Sequence, residues 1–119
     1  MKKFICKSFV ITALLLPILS RAEVDCGGGA ISAVRENAAG LGFTALRVDF
    51  STTYPYPAGA DTWWGNVIVR NDKARSAANA AFYSGSFVRF FAATGGRCPN
   101  IDEVVVCKSE GTCNVQNIQ

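Results

Sequence analysis

Residues 63–92 read WWGNVIVRNDKARSAANAAFYSGSFVRFFA, and this stretch decides the fold because it places one helix between two strands. The strands are predicted over Trp63 to Arg70 and over Ser86 to Ala92, where aromatic and β-branched residues dominate. Asn71 or Asp72 can cap the start of the helix, and Gly85 can end it in a left-handed conformation. One apolar stripe runs along the helix, formed by Ala74, Ala77, Ala78, Ala81 and Phe82. On its polar side, the residues expected to face solvent are Lys73, Arg75, Ser76 and Asn79.

Three more strands are predicted on either side of this segment. Phe43 to Phe50 alternates most clearly, Ala30 to Arg35 is a shorter first strand, and Ile101 to Cys107 is the last. In the clearest strand we expect Leu46, Val48 and Phe50 to face inward, and Ala45, Arg47 and Asp49 to face outward. The glycines at 27–29 are expected to form a flexible lead-in, and Ser51 to Thr62 a loop.

The resulting order is β-β-β-α-β-β. It predicts a mainly β protein with one helix (α+β), specifically an OB-fold-like, five-stranded Greek-key barrel with the helix at one end.

The N-terminus has the three parts of a secretory signal peptide. Met1-Lys2-Lys3 is positive, Phe9 to Leu19 is a short apolar run, and Ser20-Arg21-Ala22 supplies small residues before Glu23. The apolar run is short for a membrane span. We therefore expect residues 1–22 to be cleaved, leaving residues 23–119 as a single exported domain. Its expected location is secreted or periplasmic, with no membrane segment after cleavage.

Four cysteines lie after the predicted cleavage position: Cys26, Cys98, Cys107 and Cys113. An even number of cysteines in an exported chain predicts disulfides, two in this case, and the spacing is too wide for a typical zinc site. Three pairings are possible. We favour Cys107 with Cys113 and Cys26 with Cys98, bridges that would contribute about 2 and about 4 kcal/mol in the chain-entropy model.

Charge and residue types argue against several functions. Without its leader the chain has eight basic and nine acidic residues, which disfavours binding of nucleic acid. Histidine, the commonest general base and metal ligand, is absent from the sequence. Asp102 and Glu103 are adjacent on a strand and are expected to point to opposite faces, which makes a poor acid/base pair. We therefore expect no enzyme activity, no cofactor and no metal.

Aromatic residues are the better candidates for ligand binding. Tyr54 and Tyr56 lie in a proline-stiffened loop, and Trp63 and Trp64 follow it closely. Flat rings stack on sugars or bases at little entropic cost. Strand alternation predicts that one of the two tryptophans fills the core instead. The remaining candidates, Arg47 and Arg89, are expected to face outward and could bind a carboxylate.

The second half of the chain resembles a known family. The helix ending at Ser84-Gly85, the strand containing Val88, the strand Ile101 to Cys107 and the closing loop to Cys113 resemble the B subunits of pertussis-like and subtilase-type bacterial toxins. The resemblance covers roughly residues 63–113. It implies an OB-fold, assembly into a pentameric ring and binding of sialylated or other surface glycans. The early cysteine departs from the family pattern, because Cys26 replaces one that follows a Pro-Tyr-Phe-type segment.

Together these observations predict a non-catalytic binding protein that recognises a carbohydrate, with a homo-oligomer as a further expectation. The alternative is a periplasmic inhibitor or immunity protein that binds another protein through the same loop. Single-stranded nucleic-acid binding is the third hypothesis, and the net charge disfavours it.

Overall fold

The structure is a computed structural model that describes residues 23–36 and 42–114. The predicted leader, residues 1–22, lies outside the described residues. Among those that are described, no helix is long and apolar enough to cross a membrane. The elements are β1 (Val24–Glu36), β2 (Thr44–Phe50), β3 (Val67–Val69), α1 (Asp72–Ser84), β4 (Phe87–Ala92), β5 (Asn100–Ile101) and β6 (Glu103–Cys107), followed by a 3₁₀ turn (Glu110–Thr112).

The strands form one sheet in the order β5-β3-β2-β1-β4-β6. Every neighbouring pair is antiparallel except β3 and β5, which are parallel. The chain passes directly from β5 at one edge to β6 at the other, so the sheet is a nearly closed barrel. This confirms the mainly β fold with one helix between the third and fourth strands.

The predicted count of five strands is wrong, because the last predicted strand divides at Asp102. Its first part pairs with β3 and its second part pairs with β4. Between the two parts, the Asp102 amide donates a hydrogen bond to the Phe91 carbonyl at 2.9 Å. One segment therefore changes neighbours in mid-course and joins the two edges of the sheet.

β1 begins earlier than predicted, and the glycines at 27–29 lie inside it rather than forming a flexible lead-in. Each of them faces the backbone of a different segment. A Cβ atom at Gly27 would lie 2.6 Å from the Pro55 carbonyl oxygen, and one at Gly28 would lie 2.6 Å from that of Val88. A Cβ at Gly29 would lie closer still to the carbonyl oxygen of Asp49. Only glycine permits these approaches.

The Ser51–Thr62 loop is anchored to the same glycines. The Gly28 amide donates to the Tyr54 carbonyl at 2.8 Å, and the Ser51 amide donates to the Gly28 carbonyl at 2.9 Å. β1 therefore bonds to two strands and a loop along a short stretch.

The core lies between the inner sheet face and α1. Its largest fully buried side chains include Leu46, Val67, Val69, Phe90 and Ile101. From α1, Ala74, Ala78 and Ala81 are buried against them, which confirms the predicted apolar stripe. The helix ends are also as predicted, because the Asn71 side chain accepts from the Lys73 and Ala74 amides, and Gly85 has a φ of 70°.

The polar side of α1 is not simply solvated, contrary to the prediction. Arg75 forms a 2.6 Å ion pair with Glu36 at the end of β1, and the Asn79 side-chain amide donates to the same carboxylate at 3.0 Å. Thr44 donates to it at 2.7 Å and accepts from Arg75 at 3.0 Å. These hydrogen bonds fasten the helix to β1 and β2.

The faces of β2 largely follow the prediction. Leu46 is buried and Val48 and Phe50 pack against the core, while Arg47 and Asp49 are exposed. Ala45 is the exception among the outward residues, because it is buried, as is its cross-strand partner Ile68.

Both favoured disulfides are present. Cys26 pairs with Cys98 across 72 residues, and Cys107 pairs with Cys113 across 6. The long bridge ties β1 to the segment before β5. The short one closes the loop that follows β6.

We expect Gly29→Ala to lower the free energy of unfolding by about 3 kcal/mol or more, because the added methyl group would displace the β2 backbone. Urea unfolding of the oxidised protein measures this. Gly111→Ala is the matched control, because a Cβ there meets nothing within 4 Å. Equal stability of the two variants would contradict the close packing of β1.

Hydrogen bonds from Asn79, Thr44 and Arg75 lower the pKa of Glu36 from 4.5 to about 2. A lowered pKa stabilises the fold above pH 4.5, and the contribution is lost as the pH falls from 4.5 to 2. The Glu36 side chain is 49% exposed, so after screening we expect Glu36→Gln to cost about 1 kcal/mol at pH 7 and almost nothing near pH 2. Urea unfolding at several pH values tests this, with the exposed Asp49→Asn as control. A cost that does not depend on pH would contradict it.

Candidate ligand-binding surface

The first half of the third predicted strand is a tight hairpin turn instead. The backbones of Trp63 and Asn66 exchange two hydrogen bonds of 3.0 Å, and the residues between them have positive φ, 52° at Trp64 and 79° at Gly65. Positive φ at both central positions is the mark of a type I′ turn, in which the first position usually holds Asn, Asp or Gly. A tryptophan there costs about 1 kcal/mol in backbone strain.

Neither tryptophan enters the core, so the prediction that one would do so is wrong. Trp64 is 80% exposed, and Trp63 is half-buried. Their rings stack with centroids 5.0 Å apart and an interplanar angle of 22°. The reason is that the turn reverses the chain before β3, so strand alternation does not apply to these residues.

The stack continues onto the barrel. Trp63 meets the Phe43 ring edge-on, with centroids 5.4 Å apart, and the Arg70 guanidinium lies 5.5 Å from the centre of the Phe43 ring. We call Phe43, Trp63, Trp64 and Arg70 the aromatic stack.

The aromatic stack lies on the outer face of β2 and β3. Phe43, Ala45 and Arg47 share that face by alternation, and Ile68 lies opposite Ala45. The exposed Arg47 is thus on the same face as the stack. OB-folds use the face of their second and third strands to bind oligonucleotides and oligosaccharides.

Arg89 lies on the outer side of β4, as predicted, but two loops cover it, so it is not exposed for binding a carboxylate. Its residue is 9% exposed, and its guanidinium lies 4.2 Å from the Tyr54 ring centre and 5.0 Å from that of Phe91. Nη2 donates to Asp25 at 2.6 Å, and Nη1 donates to the Cys113 carbonyl at 3.3 Å. The loop containing Tyr54 and the C-terminal disulfide loop both fold over the outer side of β4. Arg89 therefore holds these two loops and β1 together.

The two tyrosines of the loop lie apart from the aromatic stack. Tyr54 is half-buried against Arg89 and Phe87. Tyr56 packs on Phe50 with ring centroids 5.1 Å apart, and its hydroxyl donates to the Asp61 carbonyl. Burial, and then the negative charge of Asp61, raise the pKa of Tyr56. Both side chains thus help to hold the loop on the barrel.

Two shallow pockets are present elsewhere in the described part of the chain. One, of about 250 Å³, is lined by Glu23, Ala92, Ala93, Thr94, Asp102 and Glu103. Asp102 and Glu103 therefore share a pocket, because the chain bends between β5 and β6. Burial first, and the Glu23 carboxyl second, raise the pKa of Glu103.

The second pocket, of about 270 Å³, lies beside Cys98 and has Asp61 and Arg97 among its lining residues. Neither pocket includes the aromatic stack. Over residues 23–36 and 42–114, the structure has no group of three or more His, Cys, Asp or Glu residues suited to a metal ion.

Of the six predicted site residues, the structure brings together Trp63 with Trp64 and Tyr54 with Arg89. Sequence reasoning missed Phe43 and Arg70, which complete the aromatic stack. The Gly65-Asn66 pair could have indicated the turn between Trp63 and Asn66, because glycine and asparagine favour turns. No protein-family model matches the chain, and no curated protein matches its sequence.

We expect Trp64→Asn to change the free energy of unfolding by less than about 1 kcal/mol. The variant makes an Asn-Gly turn and relieves about 1 kcal/mol of strain, and it loses a stacking contact of similar size. Urea unfolding measures the difference. Trp63→Asn is the control, because it loses contacts to both Phe43 and Trp64 and should cost about 2 kcal/mol. Equal destabilisation by both variants would contradict the strained-turn interpretation.

Proposed function

We propose that the chain is an exported, non-catalytic binding protein that recognises carbohydrate through the aromatic stack. The observation that carries this proposal is Trp64, which combines positive φ with an 80% exposed indole. Both features cost free energy, and neither contributes to the core. Strained backbone is concentrated at functional sites, so an exposed indole on a strained turn supports a role for Trp64 in binding.

Carbohydrate suits this surface for a chemical reason. A pyranose ring presents C–H groups on its faces and hydroxyls around its rim, and a flat, exposed indole offers an apolar face with a polar N–H at its edge. The position of the stack on the outer face of β2 and β3 also supports the proposal, since OB-folds bind oligosaccharides there.

Export and assembly into a homo-oligomer are also part of the proposal. Two disulfides and the absence of a membrane-spanning helix in the described residues are compatible with a secreted or periplasmic location. We propose that residues 1–22 are the export signal. The resemblance to toxin B subunits supports a ring-forming homo-oligomer, and native mass spectrometry would measure its stoichiometry.

A second candidate is a protein inhibitor that uses the same hairpin. Trp and Arg are the residues most enriched at the energetic centres of protein interfaces, and Trp64 projects at the tip of a rigid turn. This hypothesis predicts one stoichiometric protein partner that Trp64→Asn releases. Binding of single-stranded nucleic acid would instead show a steep dependence on salt.

A glycan array probed with oxidised residues 23–119 tests the primary proposal. We expect the unsubstituted protein to bind one class of glycan and Trp64→Asn to lose at least tenfold in affinity, since the stacking contact is removed. Tyr83→Ala is the matched control, because Tyr83 on α1 is 83% exposed and lies outside the aromatic stack. Absence of glycan binding by the unsubstituted protein, or equal loss in both variants, would refute the proposal.

A further inference from the structure

We infer that the aromatic stack holds one pyranose ring per copy of the chain, against the outer face of Trp64, and does not extend along a glycan. This inference rests on the proposed carbohydrate function and specifies the kind of ligand: a sugar unit recognised singly.

The rings of the stack cover one another. The Trp64 ring lies almost parallel to the Trp63 ring, with centroids 5.0 Å apart, so one face of each indole is covered by the other. Trp63 meets Phe43 at 80°, and the Arg70 guanidinium lies over the Phe43 ring. A surface that follows a polymer needs rings set side by side, each with an uncovered face for the next unit. Here the rings lie one behind another between the solvent and the barrel, and the outermost ring, that of Trp64, is 80% exposed.

Several polar groups of the hairpin also form hydrogen bonds within the hairpin itself. The amides of Trp63 and Asn66 bond to each other's carbonyls, and the Gly65 amide donates to the Thr62 hydroxyl at 3.1 Å. The Asn66 side chain donates to the Trp64 carbonyl at 3.2 Å. Three backbone amides and one N–H of the Asn66 side chain are therefore used within the turn, which leaves few donors for a second sugar beside Trp64.

The surface next to Trp64 is open rather than walled. Trp64 is 80% exposed, and a Cβ atom at Gly65, its neighbour at the tip, would meet nothing within 4 Å. A single stacking face without walls gives weak binding, because little of the ligand surface is buried. It also favours a pyranose with one face made only of C–H groups, because an axial hydroxyl on that face would hold the ring away from the indole.

Affinity as a function of chain length tests this inference on the unsubstituted protein. The probes are the methyl monosaccharides and the tetrasaccharides of β-glucose, β-galactose, β-N-acetylglucosamine and α-mannose, titrated by isothermal calorimetry or tryptophan fluorescence. For the series that binds, we expect the tetrasaccharide to bind no more than about fourfold more tightly than the monosaccharide, which is the statistical gain from four equivalent rings.

The possible outcomes separate the inference from the proposed function. A tetrasaccharide that binds more than tenfold more tightly would overturn the single-ring inference and leave carbohydrate binding intact. Failure of every probe, together with an array without signal, would refute both. Equal affinities that Trp64→Asn abolishes and Tyr83→Ala leaves unchanged would support both.

Discussion

Three adjacent glycines in β1 allow three other backbones to approach at distances that no side chain would permit. β2 lies against Gly29, β4 against Gly28, and the loop through Tyr54 and Pro55 against Gly27. The barrel and the 51–62 loop that covers it (the loop layer) therefore depend on one short stretch of backbone without side chains. The Cys26–Cys98 bridge begins at the residue next to it, so the covalent and the packing constraints act at the same place. The close approach of β2 and β4 to β1 and the position of the loop both depend on this convergence.

The loop layer also determines which aromatic residues remain available. Once the loop lies on β1, Tyr54 covers the Arg89 guanidinium and Tyr56 packs on Phe50, and both are half-buried. Arg89 is shielded between rings and pairs with Asp25, a desolvated cation that needs such partners. These residues stabilise the fold. At the other end of β2, beside Phe43, the hairpin turn holds Trp64 in the solvent, and this contrast moves the candidate site from the tyrosine loop to the aromatic stack.

Among the described residues, a strained backbone and an exposed aromatic ring coincide at Trp64. The strain at Trp64 is small beside a domain stability of about 5–15 kcal/mol, so the fold tolerates it. The cost is nonetheless informative, because an Asn at this position would make the same turn without strain. The arrangement has the features expected of a binding residue on a rigid support: the ring is fixed by Trp63, Trp63 is held by Phe43, and Phe43 lies next to β2.

Local pattern in the sequence determined the helix with its Asn71 and Gly85 ends, the order of the strands around it along the chain and the expectation of two disulfides. These features depend on spacing along the chain, which a sequence displays directly. The tertiary structure alone decided the packing of the glycines, the burial of Arg89, the role of Arg75 and Asn79 in binding Glu36, and the aromatic stack. Each of these depends on residues that are distant in sequence. Alternation and composition describe only the nearest neighbours of a residue, whereas burial and ring contacts are set by the segments that the fold brings against it.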